Sequence, residues 1–184
     1  MFQKLKILRS IHEKLMSESD LDSVLKSIVK QATKLIKADR CTLYLYDPME
    51  DELWSKLASK LEINEIRLKR GQGIAGQVAK DLEIINVKDA YADERFNKDY
   101  DETINYKTDT VLAAPMINLS GQLIGVMQLI NKLEPKKTFD KSDEFMISIL
   151  AGVSAVALQQ AQLYESNFKL RKYIKDNIII IPVT

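Results

Sequence analysis

The sequence predicts an α+β domain: an antiparallel sheet whose N- and C-terminal helices pack on one face and leave the other face for a ligand pocket. Two observations predict it. Apolar residues recur every three or four positions at both ends of the chain, as in amphipathic helices. Between them, apolar and polar residues alternate in short runs separated by turn residues, which indicates strands joined without crossover helices. At 184 residues the chain is long enough for one domain with extensions.

Two amphipathic helices are expected before the first strand. Apolar residues at helical spacing predict one helix over residues 2–16 and a second over residues 21–36. Ser19, followed three residues later by Asp22, resembles a capping box and predicts where the second helix begins. We assign residues 1–17 to a connecting or dimerising helix that precedes the domain.

Alternating runs predict strands at residues 41–47, 53–58, 66–68, 84–87, 110–118 and 122–130. The first two strands form a hairpin, since the sequence Asp-Pro-Met-Glu-Asp between them has the composition of a turn. A glycine-rich turn and a short helix reaching about Lys80 separate the third strand from the fourth. The polar segment 88–109 has no clear period. Compact domains rarely contain so long an irregular segment without a functional reason, so we expect it to cover a ligand site.

The last helix is expected over residues 140–176, which is longer than a typical globular helix. Its first half carries an apolar stripe that can cover the sheet, whereas the part after Gln162 extends past the domain and needs a partner helix. We therefore place the domain at residues 18–165 and a C-terminal extension at 166–184, which leads to an effector domain absent from this sequence. The strand-like run 178–181 receives no functional assignment.

The composition argues against several classes of function. A net charge of +1 does not favour nucleic acid or an anionic membrane as a partner. The single cysteine, Cys41, excludes an intrachain disulfide and fits a reducing, cytoplasmic compartment. The single histidine, His12, cannot build a Cys/His zinc cluster and is more typical of a helix surface than of a nucleophilic site. We expect a protein that is not an enzyme and holds no cofactor or metal.

Three glycines, Gly71, Gly73 and Gly76, match the spacing G-x-G-x-x-G. A dinucleotide site would need a full crossover helix after them, but only about eight residues separate Gly76 from the next strand, which excludes that interpretation. No downstream motif supports a kinase loop. Two interpretations remain: an anion site formed by the N–H groups of Ile74 and Ala75 at a helix start, or a plain turn that begins the helix.

Three strings carry a resemblance to a known family. Asn131-Lys132 followed by Phe139 and Asp143-Glu144 gives N-K…F-x-x-x-D-E, which is similar to the NKFDE signature of cyclic-nucleotide-type GAF domains of phosphodiesterases and cyanobacterial adenylate cyclases. The strings GIAGQVA at residues 73–79 and LIGVMQLINK at residues 123–132 resemble the same family. The resemblance spans residues 18–165 and implies a six-stranded antiparallel sheet, helices behind it, a ligand pocket in front and a regulatory role.

The resemblance also implies a set of ligand contacts. It places Arg40 and Thr42 against the purine, and the backbone of Ile74 and Ala75 against the phosphate. It further implies contacts from Phe96 and Asn97 in the covering loop, from Asp101, Tyr106 and Thr108 near the ribose or phosphate, and from Gln128 near the ribose. Arginine only donates, adenine N1 accepts and guanine N1–H donates, so Arg40 favours cAMP over cGMP, but only slightly because guanine O6 also accepts. The alternative for Arg40 is a solvated charge at a strand start.

The signature residues themselves are interpreted as structural. In the family they support the fold and do not touch the ligand. Lys132 and Asp143 are expected to form a salt bridge between a strand end and the last helix, while Asn131 and Phe139 shape the connecting loop; Glu144 is placed with them.

Two departures from the family pattern argue against cGMP in particular. Ala58-Ser59 stands where some phosphodiesterase members have a Phe-Asp pair, and Ile104 replaces a threonine in the covering loop. The first hypothesis is a sensor that binds a cyclic nucleotide or another small ligand and signals through terminal helices, as a homodimer, to an effector domain. The second is a dimerisation module whose pocket is empty or takes something else.

Overall fold

The structure, a computed structural model, describes residues 20–58, 66–103 and 105–177, together with Arg9 and Glu13. The predicted helix over 2–16 and the strand-like run 178–181 lie outside the described residues, apart from those two positions. The elements in chain order are α1 (Leu21–Ile36), β1 (Ala38–Asp47), β2 (Glu52–Ala58), β3 (Ile66–Lys69), α2 (Gly73–Asp81), β4 (Ile85–Val87), α3 (Lys98–Thr103), β5 (Val111–Ile117), β6 (Leu123–Lys132) and α4 (Lys141–Asn177).

Six strands form one sheet in the order β3-β2-β1-β6-β5-β4, and each neighbouring pair is antiparallel. This confirms the predicted fold class. β1 begins three residues earlier than predicted, because Ala38 and Arg40 already pair with β6. β6 and β1 approach closely at Gly125, where an added Cβ would lie 2.0 Å from the carbonyl oxygen of Tyr44.

Helix α1 has the predicted bounds but a different cap. Asp20 is the N-cap, and its Oδ1 accepts a hydrogen bond from the N–H of Ser23 at 2.9 Å. The prediction of a cap at Ser19 is therefore wrong by one residue. Both positions carry a preferred capping side chain, so the local sequence leaves the choice open.

Alternate residues of the central strands divide the core into two layers. On one face Cys41, Leu43, Met127 and Leu129 pack against α1 and the first half of α4. On the opposite face the neighbouring strand residues pack against α2 and the residues around Ala90. The period of two along each strand explains this separation, and it leaves the second face to hold the site.

Helix α4 runs without interruption through 37 residues. One face of this helix is buried from Met146 as far as Ala161, whereas Leu163, Tyr164, Phe168 and Tyr173 are exposed. Among the described residues, α4 is the one helix long and apolar enough to cross a membrane by length and composition. Half of that apolar stretch is buried against the sheet and α1, as in the core helix of a globular domain, so the match is weak evidence for a membrane span.

Segment 88–109 contains more regular structure than predicted. It includes a 3₁₀ turn at Ala90–Ala92 and the helix α3. Asp89 caps the turn by accepting from two backbone N–H groups, and the side chain of Asn97 accepts from the N–H of Asp99 at the start of α3. Polar capping residues set these short helices, which have no apolar period to reveal them.

Candidate functional site

A cavity of about 300 Å³ lies on the sheet face opposite α1 and α4. Its floor carries Tyr44 of β1, Val111 of β5 and Gln128 of β6. The N-terminal turn of α2 forms one wall and β3 another, and residues 95–100 of segment 88–109, which we call the covering segment, line the remaining side. The volume is at the lower end of the range for small-molecule sites in proteins.

The first turn of α2 supplies unpaired donors to this cavity. Gly73, Ile74 and Ala75 line it, and within the described part of the chain their N–H groups have no hydrogen-bond acceptor. Gln72 precedes the helix but does not cap it, because its Oε1 accepts from the N–H of Lys69 at 3.1 Å. The positive end of the helix dipole and these N–H groups therefore face the cavity, an arrangement that suits an anion.

Glycine is required in this turn for two reasons. Gly71 and Gly73 have φ values of +89° and +67°, a region that other residues rarely occupy. At Gly76, an added Cβ would lie 2.6 Å from the carbonyl oxygen of Lys69. The turn is compact enough to bring the start of α2 against β3.

Two arginines line the mouth of the cavity. The guanidinium of Arg95 binds Asp93 through two bonds of 2.8 and 2.6 Å, and this pairing lowers the pKa of the Asp93 carboxyl. Arg67 of β3 lies 3.7 Å from Glu52. Both side chains are about half exposed, at 52% for Arg67 and 42% for Arg95, and each guanidinium lies near a carboxylate that offsets part of its charge.

A buried carboxylate holds the covering segment together. Asp101 is 3% exposed, and its oxygens accept from the N–H of Thr108 at 2.6 Å, from the Thr108 hydroxyl at 2.8 Å and from the Tyr91 hydroxyl at 3.2 Å. The ring of Tyr91 packs against that of Phe96, which lines the cavity. The D-x(6)-T pattern thus closes a loop within the covering segment.

Arg40 lies next to the cavity with unsatisfied donors. Its guanidinium stacks on the Tyr106 ring at 3.4 Å, and its Nε and Nη1 are buried without a hydrogen-bond partner among the described residues. The hydroxyl of Tyr100, which lines the cavity, is also buried without a partner. Burial raises the pKa of Tyr100, and the positive charge of Arg40 partly offsets that rise. Burial likewise raises the pKa of Tyr44 on the floor.

Lys132 ties three elements together at the far end of β6. Its Nζ donates to Asp143 Oδ1 at 2.8 Å and to the carbonyl of Ile36 at the end of α1, and it lies 5.7 Å from the Phe139 ring centre. The two charged side chains are only 7% and 13% exposed. Glu144 accepts from Asn86 of β4 at 2.8 Å. These contacts join α1, β4 and β6 to the first turn of α4.

Asn131 fastens the end of the covering segment to β6. Its Oδ1 accepts from the N–H groups of Asp109 and Thr110 at 2.7 and 3.1 Å. Its Nδ2 donates to the carbonyl of Lys107 at 2.7 Å and to the Tyr106 hydroxyl at 3.0 Å. All four bonding positions of this amide are therefore directed at residues 106–110.

The structure brings five of the ten predicted ligand contacts to the cavity: Ile74, Ala75, Phe96, Asn97 and Gln128. The other five do not line it: Arg40, Thr42, Asp101, Tyr106 and Thr108. Asp101 and Thr108 bind each other, and Arg40 and Tyr106 stack together, so their contact with a ligand stays a prediction. Thr42 is buried on β1, where it pairs with Gln128 of β6.

Sequence reasoning missed several lining residues: Tyr44, Ile66, Arg67, Leu68, Gln72, Arg95 and Tyr100. Tyr44 alternates with Leu43 and Leu45 along β1, and that period could have assigned it to the face opposite the helices. Arg67 and Arg95 carry no local signal, because their position depends on how β3 and the covering segment dock. Among the described residues no cluster of His, Cys, Asp and Glu could hold a metal ion.

The chain belongs to the GAF domain family, whose sequence profile matches residues 20–158. The "Probable 3',5'-cyclic phosphodiesterase pde-5" of Caenorhabditis elegans is 34% identical over 173 residues, covering 88% of this chain and 23% of that protein. The "cGMP-specific 3',5'-cyclic phosphodiesterase" of Drosophila virilis is 31% identical over 178 residues, covering 89% of this chain and 20% of that protein. This chain therefore spans about a fifth of the length of these relatives.

Solved structures show the same fold. The GAF domain of a phosphoenolpyruvate-protein phosphotransferase from Coxiella burnetii superposes with a TM-score of 0.76 at 26% identity, covering 88% of this chain and 96% of that one. The corresponding domain from Acinetobacter gives a TM-score of 0.74 at 22% identity, covering 89% of this chain and 98% of that one. These similarities confirm the predicted six-stranded architecture and the family resemblance.

Proposed function

We propose that this GAF domain is a regulatory sensor that binds a cyclic nucleotide in the cavity and signals through α1 and α4 to an effector domain in the full-length protein. One observation carries the proposal: the unpaired N–H groups at the start of α2 face a cavity that the covering segment helps to line. Such a site holds a single phosphate anion without any catalytic side chain. The phosphodiesterase relatives, of which this chain covers 23% and 20%, support an effector elsewhere in the full-length protein.

The lining suggests how the nucleotide lies. The cyclic phosphate would sit at the N–H groups of Ile74 and Ala75, in the positive potential of Arg67 and Arg95. The ribose would face Gln128, whose amide can bond to a hydroxyl group. The base would lie under the covering segment towards Tyr100, with Phe96 and Asn97 closing the site.

The purine preference that we propose is for cAMP. Thr42 lies in register with Gln128, and Arg40 lies two residues along the same face of β1, about 7 Å from that row. Its unpaired Nε and Nη1 match an acceptor such as adenine N1 better than the N1–H of guanine. Because the Drosophila relative is named for cGMP, the two nucleotides have to be compared directly.

The same proposal describes a domain that is not itself an enzyme and acts in the cytoplasm. The described residues offer fixed donors for binding, whereas catalysis needs a positioned nucleophile or acid–base pair. Cys41 is fully buried, and burial raises its pKa to about 12, so its thiol is a core group rather than a nucleophile.

Calorimetric titration of the chain with cAMP and cGMP tests the proposal. The matched variants are Gln72→Glu, which puts a carboxylate beside the α2 N-terminus, and Gln160→Glu, which adds the same charge on an exposed position of α4. Gln72→Glu is expected to weaken binding about tenfold through repulsion of the phosphate, while Gln160→Glu leaves it unchanged. Folded wild-type protein that gives no heat with either nucleotide would refute the proposal.

A second candidate is a dimerisation module, which is favoured by the exposed apolar residues Leu163, Tyr164, Phe168, Leu170 and Tyr173 on α4. A helix that extends past its domain with these side chains exposed is stabilised by a partner helix, for example from a second copy of the chain. Light scattering with and without the double variant Phe168→Glu/Tyr173→Glu measures whether this surface forms a homodimer. A robust dimer with no nucleotide binding would favour the scaffold over the sensor.

A further inference from the structure

The covering segment and β6 meet at a chain of four contacting side chains. The amide of Asn131 donates to the Tyr106 hydroxyl at 3.0 Å, and that hydroxyl donates to Asp39 Oδ2 at 2.8 Å. The Tyr106 ring in turn lies against the guanidinium of Arg40. Asn131 is a signature residue that does not line the cavity, yet only Tyr106 separates it from the unpaired donors of Arg40.

We infer that Tyr106 and Asn131 are positioning residues that fix the Arg40 guanidinium and thereby set the base preference of the proposed nucleotide site. This inference rests on the proposed function. It assigns Tyr106 a role that acts through Arg40, in place of the direct ligand contact expected from the family resemblance.

The geometry of the stack limits where the donors of Arg40 can point. A planar guanidinium 3.4 Å from a ring centre keeps its N–H groups near the plane parallel to that ring. The two hydrogen bonds of the Tyr106 hydroxyl fix the ring itself, since one partner is on β1 and the other on β6. Nε of Arg40 is 3.7 Å from Asp39 Oδ2, beyond hydrogen-bond distance, so Asp39 holds the charge without occupying that donor.

Burial explains why this arrangement favours a ligand acceptor. The Arg40 side chain is 17% exposed, and the atoms Nε and Nη1 are fully enclosed. A buried donor that lacks a partner destabilises the folded state, and an acceptor on the ligand removes that penalty. The Tyr100 hydroxyl, which lines the cavity and is influenced by the charge of Arg40, is likewise buried without a partner among the described residues.

The test compares the ratio of the cGMP and cAMP dissociation constants across variants. Arg40→Gln is expected to lower this ratio about tenfold, because it removes a charged donor. Tyr106→Leu, which removes both the ring and the hydroxyl, is expected to lower the ratio to a similar extent. Tyr106→Phe keeps the ring on Arg40 and loses the two hydrogen bonds, so its ratio should lie between that of Tyr106→Leu and that of the wild type.

The matched control is Tyr91→Phe. Tyr91 also belongs to the covering segment and also binds a carboxylate through its hydroxyl, but that carboxylate is Asp101. This variant is expected to change both affinities by the same factor and leave their ratio unchanged. A purely structural role for Tyr106 predicts the same result for Tyr106→Leu, so the ratio distinguishes the two roles.

A double variant makes the test independent of folding losses. In an Arg40→Gln background, Tyr106→Leu should leave the ratio unchanged, since the group that it positions is already gone. An unchanged ratio in the single variant Tyr106→Leu overturns the inference while the proposed function stands. A wild type that binds both nucleotides equally overturns the inference and the cAMP preference, and leaves the proposed cyclic-nucleotide site standing. Wild-type protein that binds neither nucleotide overturns the proposed function itself. Asn131→Asp removes the amide donor to the Tyr106 hydroxyl and should lower the ratio in the same direction; if this variant unfolds, the Tyr106 variants still decide the outcome.

Discussion

Replacing Lys132 by methionine tests how the signature residues support the fold. Methionine keeps the apolar stem but removes the ammonium group that binds Asp143 and the carbonyl of Ile36. The carboxylate of Asp143 then stays largely buried without its counter-charge. We expect Lys132→Met to lower the free energy of unfolding by about 3–5 kcal/mol, the usual cost of removing one partner of a buried ion pair.

This loss should be large enough to measure by several methods. For a domain of this size each kcal/mol shifts the melting temperature by about 2–4 °C, so a fall of about 6–20 °C is expected. Urea titration followed through the fluorescence of Trp54, the single tryptophan, gives the free energy directly. The double variant Lys132→Met/Asp143→Asn should lose less than the sum of the single losses, because neither charge is left buried alone.

The control is Lys137→Met. Lys137 lies 3.0 Å from Glu134, but the side chains of this pair are 74% and 68% exposed. Exposed pairs contribute little, so this variant should stay within about 1 kcal/mol of the wild type. If Lys132→Met is no more destabilising than Lys137→Met, the interpretation of Lys132 as a buried residue whose contacts stabilise the packing of α1, β6 and α4 is wrong.

Three further outcomes follow from single positions. Ser154→Ala should raise stability by about 1 kcal/mol in thermal melts, since the Ser154 hydroxyl is fully buried and has no partner among the residues that the structure describes; a loss would contradict this. Gly125→Ala should cost about 3 kcal/mol or more in urea, because its Cβ would meet the Tyr44 carbonyl; a neutral result would refute that contact. Lys136 and backbone N–H groups lower the pKa of Asp140 to about 2. The Asp140 carboxylate therefore stabilises the fold above about pH 4, and this contribution is lost as the pH falls towards 2. In the variant Asp140→Asn, the melting temperature should depend less on pH between these two values.

The strands and helices could be predicted from the sequence, because an element that buries one face has apolar residues that recur with the period of that element. The apolar positions of α1 give its full extent, and the alternation of Leu43 and Leu45 with Tyr44 identifies both faces of β1. Strand ends were less predictable: β1 starts at Ala38 because of pairing with β6, and pairing between distant segments has no local signature.

From local sequence alone the candidate site was predictable where the backbone itself forms it, whereas Phe96, Asn97 and Gln128 were located through the family resemblance. The glycine turn before α2 has a local sequence requirement, and so the anion-binding donors could be located. Tyr100 and Arg95 line the cavity through the docking of the covering segment, which depends on tertiary contacts such as that of Asp101 with Thr108. The tie between Asn131 and Tyr106 likewise joins residues 25 positions apart, and neither residue type indicates the other.

The uninterrupted length of α4 has a mechanical consequence. At 1.5 Å per residue its 37 residues extend for about 55 Å, from the first turn beside Lys132 to residues far beyond the sheet. A tilt of about 5° about that first turn would carry the far end through about 5 Å. A rigid helix of this length would therefore convert a small tilt where β4, β6 and α1 meet into a displacement the size of a side chain at its far end.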